Sequence, residues 1–96
     1  VKLMKSGGVA EGLRTIHVAR ALGMKVMLGC MIETSIAITA AAHLAPLVDY
    51  ADLDGNLLIV NDPFVGARVA GGRPVLPSAP GLGVAPRAGG APGVAC

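Results

Sequence analysis

Hydrophobic and polar positions fall into blocks along the first half of the chain, and each block suits one kind of element. Val1, Leu3 and Met4 flank Lys2 and run into Ser6-Gly7-Gly8. Glycine admits backbone angles that end regular structure, so a short strand followed by a tight turn is expected. From there apolar residues recur at Val9, Leu13, Ile16, Ala19 and Leu22, with Glu11 in the first turn, Arg20 near the end and Gly23 just beyond. That spacing, with charges placed to suit the helix dipole, predicts an amphipathic helix over 9–22. Lys25 to Cys30 is an apolar run of strand length, as in parallel strands covered on both faces. Ser35 to Ala45 is almost wholly apolar, with Thr34 or Ser35 as N-cap and Pro46 close to its end, which predicts a second helix. Val48 to Leu53 predicts a third short strand, with Asp49, Asp52 and Asp54 in and beside it.

The resulting order is strand, helix, strand, helix, strand, and Lys2, Val26 and Tyr50 are each twenty-four residues apart. Such a series gives either a doubly wound sheet or part of a (β/α) barrel, and in both the chemistry collects at the carboxyl ends of the strands. Beyond Gly55 the pattern changes. Asn61-Asp62-Pro63 and Gly71-Gly72 predict turns, and Arg68-Val69 and Pro74-Val75-Leu76 predict short strands in a loop-rich extension. Residues from Ala85 to Cys96 are nearly all Ala, Gly, Pro and Val, too small to offset the entropy of ordering, so a disordered tail is expected.

Composition narrows the setting. Ninety-six residues make one domain at most, against about 250 for a complete eight-unit barrel. Hydrophobic residues make up 53% and charged ones 15%, so the chain wants more burial than it can supply alone. Its longest uncharged apolar stretch, Thr34 to Val48, is fifteen residues and contains a histidine and a proline, short of the roughly twenty a spanning helix needs. No membrane segment or secretory signal is therefore expected, and the cytoplasm is the default location. Eight Lys and Arg residues are scattered singly, without the clustering that nucleic-acid binding calls for. Cys30 and Cys96 fit neither a disulfide framework nor a zinc pattern and are expected to be unpaired. The chain opens on Val within an expected strand, which suggests a segment of something longer.

Several residues could carry chemistry. Lys2 in an apolar strand would lose solvation, which favours the neutral amine of a general base; a strand-end lysine reaching solvent is the other reading. Lys5 has the opposite strand parity and should not share a face with Lys2. Asp52 and Asp54, at i and i+2 on a strand, would project together to hold an ammonium group or a metal ion, or would form a solvated corner before the Asp54-Gly55 turn. The segment Gly29-Cys30-Met31-Ile32-Glu33-Thr34 lies between strand and helix, where backbone N–H groups can meet a carboxylate. Glu33 also suits the start of a helix, and Cys30 a small core site. His17 and His43 lack ligand-spaced partners and read as structural, and Gly81-Leu82-Gly83 is too short for a nucleotide fingerprint.

Four motifs together carry a resemblance: Val1-Lys2-Leu3-Met4-Lys5-Ser6-Gly7-Gly8, the run from Gly23 to Thr34, Ala40-Ala41-Ala42-His43-Leu44, and Asp52-Leu53-Asp54-Gly55. With Pro80-Gly81-Leu82-Gly83-Val84, they resemble the C-terminal part of dipeptide epimerases, in the muconate-lactonizing-enzyme subgroup of the enolase superfamily. The resemblance implies an α/β fold: a partial (β/α) barrel formed by the last β-α-β-α-β units of a (β/α)₇β barrel, strands six to eight, over residues 1–55. A C-terminal extension, 56–84, would pack toward the barrel and its cap, with the disordered tail at 85–96.

What the family does is implied in the same way. Such enzymes bind Mg²⁺ through acidic residues on earlier strands, so the resemblance gives this chain no metal ligand. Two lysines face opposite sides of the substrate α-carbon, one removing and one returning a proton; Lys2 matches the later of them, and the family's Lys-x-Lys pair would lie upstream. Asp52 and Asp54 match the Asp-x-Asp motif that binds the free α-ammonium of a dipeptide. Cys30, Met31 and Ile32 match the turn that gives backbone contacts to substrate. The expected function is therefore part of a Mg²⁺-dependent epimerase acting on a small dipeptide, inactive as an isolated chain. Its partners would be the missing N-terminal portion of the barrel or further copies of itself, without nucleic acid or membrane. N-acylamino-acid racemases, o-succinylbenzoate synthases and cycloisomerases share the barrel and the lysine, and a non-catalytic self-associating α/β module is the alternative outside this class.

Overall fold

The computed structural model describes residues 1–88. Lys2 is extended and forms a single parallel bridge to Gly29, with the Gly29 N–H donating to the Val1 carbonyl at 2.8 Å. The expected strand over Val1–Met4 stops there: Leu3–Ser6 is one turn of helix, α1, closed by Gly7 and Gly8, whose N–H groups both return to the Leu3 carbonyl. Both glycines have left-handed φ, 97° and 105°, which L side chains rarely adopt, and the turn delivers Leu3 into the core.

Helix α2, Val9–Ala21, forms as its period predicts and ends at Leu22, with Gly23 at φ 74°. Its buried positions are Gly12 and Ile16, with Leu13 and Ala19 half-buried beside them, whereas Val9 and Leu22 of the predicted stripe face outward. Gly12 matters through space: a Cβ there would lie 2.9 Å from Leu3 Cδ2 and 3.3 Å from Leu44 Cδ1, so its absence lets the helix close on the core.

Strand β1, Met27–Leu28, lies between the Val1–Lys2 segment and β2, Tyr50–Ala51, and both pairings are parallel. The ladder is shorter than the expected Lys25–Cys30 and Val48–Leu53 strands. Leu28 is fully buried while Met27 is 52% exposed, so the described residues cover one sheet face, where burial of both was expected. Leu28 and Ile16 anchor a core shared with Leu3, Val26, Ala40, Ala41 and Leu44; fully burying such a side chain contributes about 1.5–3 kcal/mol. Asp49 fastens β2 to this core. Its carboxylate accepts the Val26 N–H at 2.7 Å and an ion pair from Arg20. The Val26 bond, then Arg20, hold the Asp49 carboxyl below the usual carboxylate range against the opposing effect of desolvation.

Helix α3, Ser35–Ala42, buries six of its eight residues, because the sheet packs on one side and the extension on another. It stops before the expected Ala45, and Ala45–Leu47 continues as a 3₁₀ turn with Pro46 inside it. Thr34 holds the N-cap position but makes no capping bond; the carboxylate of Asp62 caps the helix from the extension. Thr39 is wholly buried and its Oγ1 accepts the Ala67 N–H at 2.9 Å. His43 Nε2 donates to the Leu82 carbonyl at 3.0 Å, a structural tie.

The extension begins with a 3₁₀ turn, Gly55–Leu58, followed by β3, Phe64–Val65, and a hairpin of β4, Arg68–Ala70, and β5, Arg73–Val75. Gly71 and Gly72 both have positive φ, as the tightest hairpin turns require. Ala85–Pro86, expected in the disordered tail, instead forms β6 antiparallel to β3. Arg87 secures it by donating Nε to the Asp62 carbonyl and Nη2 to the Phe64 carbonyl, at 3.1 and 3.2 Å. The remainder of that expected tail from residue 89, including Cys96, lies outside the described residues. Among the described residues no helix is long and apolar enough to cross a membrane.

Asp62, 6% exposed, is the hub of this packing: it accepts from the Ser35 N–H at 3.0 Å, the Ser35 hydroxyl and the Phe64 N–H. Desolvation raises the carboxyl's affinity for a proton, but the Ser35 hydroxyl, the two N–H groups and the Arg87 charge outweigh it, and Asp62 is held below the usual carboxylate range. The unfolded chain therefore takes up this proton at a higher pH than the folded one, so its stabilising contribution is complete above the unfolded value of about 3.9 and is lost as pH falls through the folded value. Melting midpoints from pH 6 down to pH 2.5 should show the native chain losing its advantage over Asp62→Asn below about pH 4.

Candidate functional site

The three parallel segments deliver Lys2, the Cys30–Ile32 turn and Asp52–Asp54 to the same end of the sheet, just past the carboxyl ends of the strands. Lys2 is half-buried, between the two readings of the sequence, and its stem lies against Gly29, where a Cβ would meet Lys2 Cε at 3.4 Å. Its Nζ reaches Met31 Sδ at 3.7 Å. Lys5 does not follow strand parity, because α1 places it one helical turn after Lys2; the two border one open cleft with Ser6 and Thr15.

The turn after β1 is braced from within. The Met31 N–H donates to Glu33 Oε2 at 3.2 Å, and Glu33 Oε1 is buried without a hydrogen-bond partner among the described residues. Met31 and Ile32 expose their side chains, while Cys30 is half-buried with a free thiol that approaches Asp54 Oδ1 at 3.8 Å. This contact joins the second and third segments of the site.

Asp52 and Asp54 lie beyond β2, which ends at Ala51, so they do not project together from a strand. The Asp52 N–H donates to the Leu28 carbonyl at 2.8 Å, and Asp54, with φ −98° and ψ 0°, turns the chain into the 3₁₀ turn. Both nevertheless line one cavity of about 190 Å³, with Leu57 and the β4–β5 hairpin as further walls and no basic side chain among its lining residues. Two carboxylates at one cavity attract a cation.

An ammonium group or a metal ion would each supply that cation. Among the described residues no three His, Cys, Asp or Glu side chains come together in a way that could hold a metal ion. Glu33, Asp49 and Asp62 each accept a backbone N–H instead. Sequence reasoning missed Glu33 as the brace of its turn and the hairpin residues Val69 and Pro74 as cavity walls. Only the Asp-Gly pair at 54–55 carried a local signal: a Cβ on Gly55 would meet the Met31 carbonyl oxygen at 2.1 Å, so the close approach of the two turns requires glycine.

Consecutive parallel segments joined by helices, with their polar side chains gathered at one end, define the chain as an α/β unit built on a parallel sheet. It belongs to the Enolase C-terminal domain-like family, which it matches over residues 1–89. It is 55% identical over 84 residues to an L-Ala-D/L-Glu epimerase from Bacteroides thetaiotaomicron, covering 88% of this chain and 22% of the relative. The substrate-liganded L-Ala-D/L-Glu epimerase from Bacillus subtilis superposes with a TM-score of 0.79 at 39% identity, over 86% of this chain and 24% of that one. A dipeptide epimerase from Methylococcus capsulatus in complex with Mg and the dipeptide L-Arg-D-Lys gives 0.81 at 40% identity, over 86% and 25%. The chain thus spans about a quarter of the length of the relatives it matches.

Proposed function

We propose that this chain supplies one acid/base lysine and the ammonium-binding carboxylates of a dipeptide epimerase, with residues 1–55 as the last part of the barrel and 56–84 as an extension over it. The observation that carries the reading is the convergence of Lys2, the Cys30–Ile32 turn and the Asp52–Asp54 pair at one end of a parallel sheet. In this reading Lys2 Nζ takes the α-proton from, or returns it to, one face of the substrate carbon. Asp52 and Asp54 neutralise the dipeptide's α-ammonium, and the backbone of Cys30, Met31 and Ile32 bounds the substrate beside them. Relatives in complex with Mg support Mg²⁺ dependence; its ligands would belong to the rest of the barrel, without which the isolated chain would be inactive.

The exposed side chains of Val18 on α2 and of Leu22 and Met24 just past its end suit contact with that remainder. The same surface favours a second reading, a self-associating module without catalysis. A chimera separates the two: this chain replaces the matching quarter of the Bacteroides epimerase, and deuterium entry at the α-carbon is followed by NMR with L-Ala-L-Glu and Mg²⁺ in D₂O. Exchange is expected. A folded chimera that exchanges no dipeptide while the parent enzyme does would overturn the epimerase reading.

The ammonium assignment has its own signature. Charge-assisted hydrogen bonds contribute about 1.5–3 kcal/mol each. Asp52→Asn or Asp54→Asn in the chimera should therefore raise KM for L-Ala-L-Glu by about tenfold or more, with a smaller change in kcat. The N-acetylated dipeptide has no ammonium, and the chimera should discriminate against it before substitution and much less afterwards.

A further inference from the structure

Lys2 runs to the site along a defined track. Gly29, bridged to Lys2 across the parallel pair, has no side chain, and the lysine stem lies over it: a Cβ there would meet Lys2 Cγ at 3.7 Å as well as Cε at 3.4 Å. Past Gly29 the amine stops at Met31, with Nζ donating to Sδ at 3.7 Å. Among the described residues that sulfur is the one hydrogen-bond acceptor of the Lys2 amine, and no carboxylate forms an ion pair with it. The Met31 side chain is exposed, yet it projects from a backbone fixed on both sides. Its N–H donates to Glu33 Oε2, and its carbonyl oxygen packs against Gly55, where a Cβ would collide with it.

We propose that Met31 is a positioning residue for Lys2: its thioether holds the amine at the carboxyl end of the sheet, aimed at one face of the substrate α-carbon, without placing a charge beside it. The inference rests on the reading of Lys2 as an acid/base group. A lysine head on a flexible four-carbon stem samples many rotamers in water, whereas proton transfer needs it within hydrogen-bond reach of one carbon. Sulfur is a weak acceptor, so the contact directs the amine and still releases it to the substrate. A carboxylate in the same place would hold the ammonium form in an ion pair and keep it from acting as a base. The fixed backbone of the Cys30–Glu33 turn thus sets where the Lys2 head rests, through one side chain that the substrate's own contacts with that turn do not require.

The test follows α-proton exchange of L-Ala-L-Glu and L-Ala-D-Glu across a range of pH in the same chimera, each epimer reporting on one face. Met31→Leu keeps the volume and removes the sulfur. It should lower kcat about tenfold for the epimer that Lys2→Met slows, with KM and the other epimer little changed. Met31→Glu puts a carboxylate beside the amine, so exchange of that same epimer should need a pH about one unit or more higher, while the other epimer keeps its profile. Met31→Gln, of similar size and uncharged, should keep the native profile for both. A pH midpoint does not depend on the folded fraction, so if Met31→Leu does not fold, the Met31→Glu profile decides. Equal losses for the two epimers, a raised KM in place of a lowered kcat, or an unshifted Met31→Glu profile would overturn the positioning role; the epimerase reading would stand, because the unsubstituted chimera still exchanges both epimers. A chimera that exchanges neither epimer before any substitution would remove both.

Discussion

Lys2→Met in the chimera is expected to slow α-proton exchange by about 10²–10⁴-fold for one epimer of the substrate and much less for the other. Methionine keeps the apolar stem that lies along Gly29 and removes the amine, so the packing seen around Lys2 is largely retained. The asymmetry is the informative part. Epimerisation needs a base on each face of the α-carbon, and in the proposed enzyme Lys2 serves one face while a lysine from the preceding part of the barrel serves the other. Loss of Lys2 therefore stops net inversion, yet the opposite face still exchanges its proton with D₂O. A merely structural role would slow both epimers together. Equal losses for the two epimers, measured by NMR from each pure stereoisomer, would remove Lys2 from proton transfer.

How much of this was legible in the sequence depended on how local the cause was. Helix α2 follows from its own period, and its end from Gly23, since both are decided within a few residues. The Val1–Met4 tetrapeptide is apolar in either a strand or a helical turn; Gly7 and Gly8, closing back on the Leu3 carbonyl, decide for the turn after Lys2. That same helical turn undid the parity argument separating Lys2 from Lys5. The cap of α3 was invisible locally, because its acceptor, Asp62, is twenty-seven residues away from Ser35. The ordering of Ala85–Arg87 was hidden for the same reason: small residues with no core of their own are held by the carbonyls of Asp62 and Phe64 and by the edge of β3.

The candidate site shows the same division. The residue types at Lys2, Asp52 and Asp54, and their place after successive strands, could be read from the chain. The geometry of the carboxylates could not, since β2 ends at Ala51 and the pair meets the cavity through a turn. Neither could the contact of Cys30 with Asp54, which joins two segments twenty-four residues apart. Composition foretold the incomplete burial: Met27, Tyr50, Leu22 and Met24 remain exposed on a chain covering about a quarter of its relatives.

That contact between turns makes Gly55 the position where the smallest substitution should have a disproportionate effect. Gly55 is buried and its φ lies in the ordinary range, so conformational freedom is not what calls for glycine. The need is space: a methyl group there would sit 2.1 Å from the Met31 carbonyl oxygen, 3.2 Å from the Glu33 nitrogen and 3.3 Å from Cys30 Sγ. Two of those atoms are backbone and cannot rotate aside, so Gly55→Ala must drive the Asp54–Gly55 turn away from the Cys30–Glu33 turn. Overpacking of this kind costs about 1–3 kcal/mol. The displacement also carries Asp54 away from Cys30 and alters the cavity it shares with Asp52, and a shift of about 1 Å in a positioning group can cost 10²-fold in rate. Gly55→Ala in the chimera should therefore lose about 10²-fold in kcat/KM for L-Ala-L-Glu. Gly23→Ala supplies the comparison: at φ 74° with nothing within 4 Å of its added methyl, it strains the end of α2 by about 1–2 kcal/mol without touching the site. Of the two, only Gly55→Ala should lose activity per folded molecule; a matching loss in Gly23→Ala would mean that stability, and not the junction of the two turns, governs the rate.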